Sequence, residues 1–277
     1  MRLVPKFAVT APFVFATVLG CGTAEPQSSE EVQSSPQVAE LRDSGGSLLF
    51  EPDSRPYGVS MERWSELIWK WIYRQPTGSN PLLDLTGASC GVDQEGPVWF
   101  LPSVIPGAPV FQGERSCTIP HQRALLVQTA AFLNDYPCPD PTFQPAPGQS
   151  LYDFLIGPAS AFIDTVYFFE VTLDGVPQPD MLRFRLASKD LFQVRGDLSL
   201  QTTLDGCITG RPQPAVADGY VFMVKPLARG EHTLVWHTRD SFRALAERAG
   251  LRVRSVRAPD GSPATDDDAP FVFVLAT

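Results

Sequence analysis

Residues 165–175 read TVYFFEVTLDG, the pattern of a strand running into a tight turn. β-Branched and aromatic side chains dominate 165–173, as in a half-buried pleated strand. Asp174-Gly175 closes the stretch, because a two-residue type I′ turn needs positive φ at both central positions. A return strand is expected over 181–187, where Leu182, Phe184 and Leu186 alternate with Arg183 and Arg185. That alternation gives one buried face and one wet face. On either side of this hairpin, strands are expected near 97–103, 123–129, 198–204, 219–225, 231–237, 251–257 and 270–276. Asp205-Gly206, Asp218-Gly219 and Arg229-Gly230 supply turn signals between them. Many short strands so punctuated predict a mainly β fold, a β-sandwich or jelly-roll-like single domain over 47–277.

Two helices are expected to interrupt the strands. Ser60 can cap one over 61–74, with Trp64, Leu67, Ile68, Trp71 and Ile72 on a single apolar stripe and Pro76 as its stop. A second is expected over 240–249, from Asp240 to Ala249, with Gly250 ending it.

The N-terminus reads differently. Arg2 and Lys6 precede an apolar run from Phe7 to Gly20, too short for a membrane span and the right length for a secretory signal. Val18-Leu19-Gly20-Cys21 resembles a lipobox, so the chain resembles a bacterial lipoprotein precursor over residues 1–21. The resemblance implies a signal peptide over 1–20, cleavage before Cys21, and lipid on the Cys21 sulfur and the new amino group. Leu19 stands where a small residue is more usual, and Val18 where leucine is. Gly22 in place of Asp resembles the pattern sent to the outer membrane where the organism has one. Residues 21–46, rich in Ser, Glu, Gln and Pro and without an aromatic, are expected to be a lipidated disordered tether. The localisation implied is the cell envelope, with the membrane reached through the lipid anchor only.

Removing Arg2 and Lys6 would take the net charge from −9 to −11. Such a surface disfavours nucleic acid as a partner. Without Cys21 four cysteines remain, Cys90, Cys117, Cys138 and Cys207. An even number in an exported chain predicts two disulfides. Three pairings are possible; Cys90–Cys117 with Cys138–Cys207 is preferred, because Cys90 and Cys117 flank one strand-and-loop unit. No CxxC or HxxxH spacing points to zinc, so neither a metal nor a cofactor is expected.

Motifs that could carry chemistry are fragmentary. Gly87-Ala88-Ser89-Cys90-Gly91 matches the G-x-S-x-G nucleophile elbow, but that motif needs a strand before it and a helix after it, and its flanks read as loop. No catalytic residue is assigned. His232 and His237, five apart on one expected strand, should face opposite ways, and His121 stands alone. Trp69 and Trp99 are the candidate ligand-binding residues, because an exposed indole can stack on a sugar ring; Trp69 lies off the apolar stripe. Arg252, Arg254 and Arg257 form a basic patch that Asp266, Asp267 and Asp268 could balance.

Trp64, Trp69-Lys70-Trp71, Asn80-Pro81, Cys90, Gly96-Pro97-Val98-Trp99-Phe100-Leu101 and Arg115-Ser116-Cys117 together resemble a family of uncharacterised secreted bacterial proteins. Asp174-Gly175, Ala217-Asp218-Gly219-Tyr220 and Gly230-Glu231-His232-Thr233 are similar to it too. The resemblance implies a single domain and the Cys90–Cys117 pairing; it implies no activity. The expected function is that of a surface-tethered, non-enzymatic protein binding an envelope protein or a glycan. The alternatives are an extracytoplasmic hydrolase of polysaccharide or ester bonds, which needs paired carboxylates in a cleft, and a purely structural envelope component.

Overall fold

Two long antiparallel strands, β2 (Ala124–Asp135) and β7 (Gln213–Val224), form the spine of the molecule. The computed structural model describes residues 47–103, 115–166, 169–238, 252–257 and 272–276. Strand β1 (Val98–Pro102) lies parallel to β2. The other side of β7 is shared end to end by three short pieces: residues 48–50, β5 (Arg185–Ala187) and β6 (Phe192–Val194). A second sheet has the order β4 (Val176–Gln178), β3 (Phe169–Leu173), β8 (Leu234–Thr238). A separate pair joins β9 (Arg252–Arg257) to β10 (Val272–Ala276).

The layers follow from strand alternation. On β7, Ala215, Ala217, Val221 and Met223 face the helix α1 (Met61–Arg74), where they meet Met61, Trp64, Ile68 and Ile72. Tyr220, Phe222 and Val224 face the other way, onto Phe169, Val171 and Leu173 of β3. Two sheets therefore pack face to face as a sandwich, and α1 covers the outer face of the larger one. The parallel β1–β2 pair sets this apart from the all-antiparallel jelly roll.

A register shift divides β2 between Gln128 and Ala131. Before it, Ala124 and Leu126 face α1; after it, Ala131 and Leu133 do. The shift thus exchanges odd for even positions and turns Asp135 toward α1. Gly219 lies opposite, where an added Cβ would fall 2.4 Å from the Ala131 Cβ and 2.7 Å from the Ala130 oxygen. Asp218-Gly219 is therefore no turn. Gly219 sits mid-strand because only a hydrogen leaves room for the displaced backbone.

Helix α1 is the one expected: the Ser60 side chain accepts from the Arg63 amide, and Gln75 ends it before Pro76. The second described helix, α2 (Leu151–Ile163), is not the one expected from the sequence. Gly157 and Pro158 sit inside it, yet the Ser150 cap and burial of Leu155, Ala159 and Ile163 against β2 and β7 hold it. The helix expected over 240–249 lies outside the described residues.

Two strand expectations are corrected. The partner of β3 across Asp174-Gly175 is β4, while Met181–Phe184 is a 3-10 turn and only Arg185–Ala187 extends, pairing with β7. Phe184 supports the sandwich core while Leu182 is left exposed, as a turn places them. The segment near 198–204 is also 3-10, over Leu198–Thr202, because the Asp197 side chain captures the Ser199 amide and starts a turn. The remaining expected strands are present.

Both disulfides form, Cys90–Cys117 and Cys138–Cys207. They mark an extracytoplasmic protein. No described helix is long and apolar enough to cross a membrane.

Candidate functional site

One face of α1 and the edge of the large sheet enclose an open groove of about 450 Å³. Leu67, Phe100 and Pro212 give it an apolar floor, with the buried Trp71 and Val194, each 1% exposed, behind them. The spacing i, i+3, i+4, i+7 puts Leu67, Lys70, Trp71 and Arg74 on that side of α1. Trp71 donates its indole N–H to the Val92 carbonyl at 3.0 Å and packs on Phe100 with centroids 5.5 Å apart. Gln94 then fixes the facing loop to β1. Its Nε2 donates to the Phe100 carbonyl at 2.8 Å, and its Oε1 accepts from the Phe100 amide at 3.0 Å. Cys90–Cys117 ties down the start of the same loop.

Lys70 and Arg74 on α1 and Arg195 after β6 give the rim three cations, and Asp93 and Glu95 on the loop give it two anions. Among the described residues none of these five takes part in an ion pair. Arg195 is steadied by its Nε bond to the Gly210 carbonyl at 2.9 Å. Lys70 lies 5.5 Å over the Phe192 ring, and partial burial, then Arg63, hold its pKa below the ordinary lysine value. An apolar floor with charged groups at its rim makes this groove the candidate site among the described residues.

The two candidate tryptophans do not line it. Trp69 is 6% and Trp99 7% exposed, so neither offers a ring face to a glycan. Trp69 meets Tyr73 edge to face at 6.0 Å, because α1 is covered on more than its apolar stripe. Trp99 is enclosed between the sheets, with Arg123 5.4 Å over its ring. Ser89 lies in a turn organised by Asp84, which accepts from the Ser89 amide at 2.7 Å and from Thr86; neither strand nor helix adjoins it. Gly87 in that turn lets the chain approach the Ser116 carbonyl, which an added Cβ would meet at 2.2 Å.

Titratable clusters that the sequence did not signal lie elsewhere. Asp135, at the end of β2, is 3% exposed, and neither carboxylate oxygen has a hydrogen-bond partner among the described residues. Asp205 lies beside it, accepting from the Tyr73 hydroxyl at 2.9 Å and the Cys207 amide at 2.9 Å. Burial, reinforced by the Asp205 charge, pushes the Asp135 pKa up to about 8. Ligand-type atoms of Asp135, Asp205 and Cys207 come within 4.8 Å of one another, but the Cys207 sulfur is bonded to Cys138. Two carboxylates remain, short of the six to eight or so oxygens that calcium takes. The pair lies outside the groove lining.

A second cluster links α2 to the sheet. The fully buried Asp218 side chain receives Arg185 through both oxygens, Nε to Oδ1 at 3.0 Å and Nη2 to Oδ2 at 2.7 Å, and Ser160 donates to it at 2.9 Å.

His232 forms the one close histidine–carboxylate contact among the described residues, with Nδ1 2.8 Å from Asp174 Oδ2. Its other ring nitrogen lies 3.1 Å from the Ala228 carbonyl, so both edges are engaged and the ring has no nitrogen left to act as a base. Asp174 also accepts from the Thr233 amide at 2.7 Å, making the group a latch on the β3–β4 turn. Partial burial opposes the charged ring, but the bonds to Asp174 and Ala228 outweigh it and raise the His232 pKa. A raised pKa gives stability that is complete below the unfolded value and lost as pH rises through the folded one. His232→Gln should therefore cost about 1 kcal/mol below roughly pH 6 and little at high pH. Urea unfolding at both ends of that range would show the difference; an equal cost at both would refute the latch.

His121 is exposed. The side chains of His237, Arg252, Arg254 and Arg257, and residues Asp266, Asp267 and Asp268, lie outside the described residues.

Compared with protein-family models, with curated proteins and with solved structures, the chain matches none.

Proposed function

We propose that this chain is a lipid-anchored, non-enzymatic binding protein of the cell envelope, holding its ligand in the groove between α1 and β6. The observation that carries this is the groove itself: an open apolar floor ringed by five charged side chains with no ion-pair partner among the described residues. A surface kept in that state by a disulfide and a pinned loop is suited to recognition. The buried carboxylates and the imidazole are satisfied within the fold or enclosed by it, away from the groove. Cleavage before Cys21 would leave residues 22–46 as a spacer between the lipid and the domain.

Two measurements test the proposal. Cells fed labelled palmitate should label the wild-type chain and not Cys21→Ser; labelling of neither, or of both, would sink the anchor. The full chain should then be screened on glycan and envelope-peptide arrays beside Lys70→Glu/Arg195→Glu. A ligand held by the wild type and lost, by about tenfold or more, from the double variant supports the groove. Equal binding by both, or none by either, refutes it.

A further inference from the structure

The edge of β6 that is unpaired among the described residues bears on the class of ligand, given that the groove is the binding site. In the described structure β6 pairs with β7 alone, and Gln193 lies opposite Pro214. Proline has no N–H, and the Pro214 carbonyl is turned to the other side, where it accepts from the Tyr136 amide at 3.0 Å. Gln193 thus occupies a non-hydrogen-bonded position of the β6–β7 ladder, and its own N–H and C=O point away from the sheet. No hydrogen bond to either group occurs among the described residues. Gln193 and Val194 of β6, with Arg195 directly after it, line the groove.

An unpaired strand edge beside an apolar floor invites an added strand. Natural edges are often blunted by proline or a cover; here the proline is on the inner partner, where it directs Gln193 outward. The cations sit close to that edge: Arg195 directly after β6, and Lys70 and Arg74 across the floor on α1. The anions, Asp93 and Glu95, are on the separate loop. A strand laid against β6 would therefore meet the positive side of the rim first.

We propose that the groove binds an extended acidic peptide by strand addition to β6. The peptide backbone bonds to Gln193, one apolar side chain rests on the floor between Leu67 and Phe100, and flanking carboxylates face Lys70, Arg74 and Arg195. Nothing covalent follows; the complex is a reversible association that weakens with salt.

The test uses the full chain and a library of short peptides alternating apolar with acidic residues. A matched library has lysine in place of the acids, and a third carries backbone N-methyl groups at alternate positions. Acidic peptides should bind, with the lysine series at least about tenfold weaker from charge alone. N-methylation or Gln193→Pro should weaken binding by about tenfold through the lost backbone bond. Amide exchange at Gln193 should slow when the unmodified peptide binds, which keeps the test valid if Gln193→Pro fails to fold. Unchanged affinity on N-methylation together with unprotected Gln193 overturns strand addition. Preference for the lysine series overturns the acidic ligand. Glycan binding that depends on Lys70 and Arg195, without peptide binding, overturns this inference and leaves the binding function standing. No ligand of either kind removes both.

Discussion

Asp135→Asn is expected to stabilise the protein at neutral and alkaline pH. Asp135 and Asp205 bring two carboxylates together beneath α1, and Asp135 itself is buried without a hydrogen-bond partner among the described residues. Two like charges about 4 Å apart repel by several kcal/mol at the effective dielectric of a protein site, so one proton stays with the pair. Burial first, and then the Asp205 charge, raise the Asp135 value to about 8 against an ordinary 3.8. In the unfolded chain Asp135 ionises near 3.8. Between the two values the native state therefore holds a proton that the unfolded state has released, and stability falls as pH rises across that window. Asparagine needs no proton, keeps the shape and can donate to Asp205. Urea unfolding should show Asp135→Asn more stable than wild type by about 2–4 kcal/mol at pH 8, with the gain shrinking toward pH 4. A variant less stable at pH 8, or a gain independent of pH, would show that the pair is not proton-linked. His232 also loses stability with rising pH, so the comparison belongs in a His232→Gln background.

Arg185→Met is expected to have an effect of opposite sign and similar size. Asp218 is fully buried, and Arg185 is the cation that compensates it; the same guanidinium reaches Asp164 at 2.6 Å and the Ser160 carbonyl at 3.3 Å. One side chain thereby joins β5, β7 and the end of α2. Its hydrogen bonds to Asp218 are the main reason that its pKa lies above the ordinary arginine value. Removing it strands a buried charge, an effect of about 3–5 kcal/mol. Arg185→Lys should recover only part, since an ammonium cannot bridge both oxygens of Asp218 in a planar fork. Adding Asp218→Asn to Arg185→Met should restore most of the loss, because the stranded charge is gone. A double-mutant cycle from chemical denaturation would measure the coupling. Additive losses would mean that the two residues act separately.

Much of the local structure is legible in the residues themselves. The Ser60 cap, the Trp64–Ile68–Trp71–Ile72 stripe and Pro76 define α1 within a few residues, and each signal acts over one helical turn. The Asp174-Gly175 turn is likewise decided by two residues of positive φ. Beyond that turn the pattern misleads: Leu182, Phe184 and Leu186 alternate like a strand, although Asp180 adopts positive φ and starts a 3-10 turn. Helix α2 is hidden by Gly157-Pro158, whose local penalty is outweighed by burial against strands distant in sequence.

The candidate site is less legible. Trp69 and Trp99 invite a role in stacking, since a sequence specifies the size of a ring and not what covers it. The groove instead depends on α1 meeting β6 and a loop after Cys90. The Asp135–Asp205 pair depends on the register shift in β2, which turns an odd-numbered residue toward the helix.

The mainly β character, helix α1 with its cap and the even set of cysteines after Cys21 are properties of the chain before it folds, because they rest on neighbours within a turn or on counting. Which strands pair, which aromatics are covered, where two carboxylates come together and which edge of β6 is unpaired among the described residues were settled by tertiary packing alone. Those depend on which faces meet after the chain closes, and contacts between segments tens of residues apart leave no periodic trace in either segment.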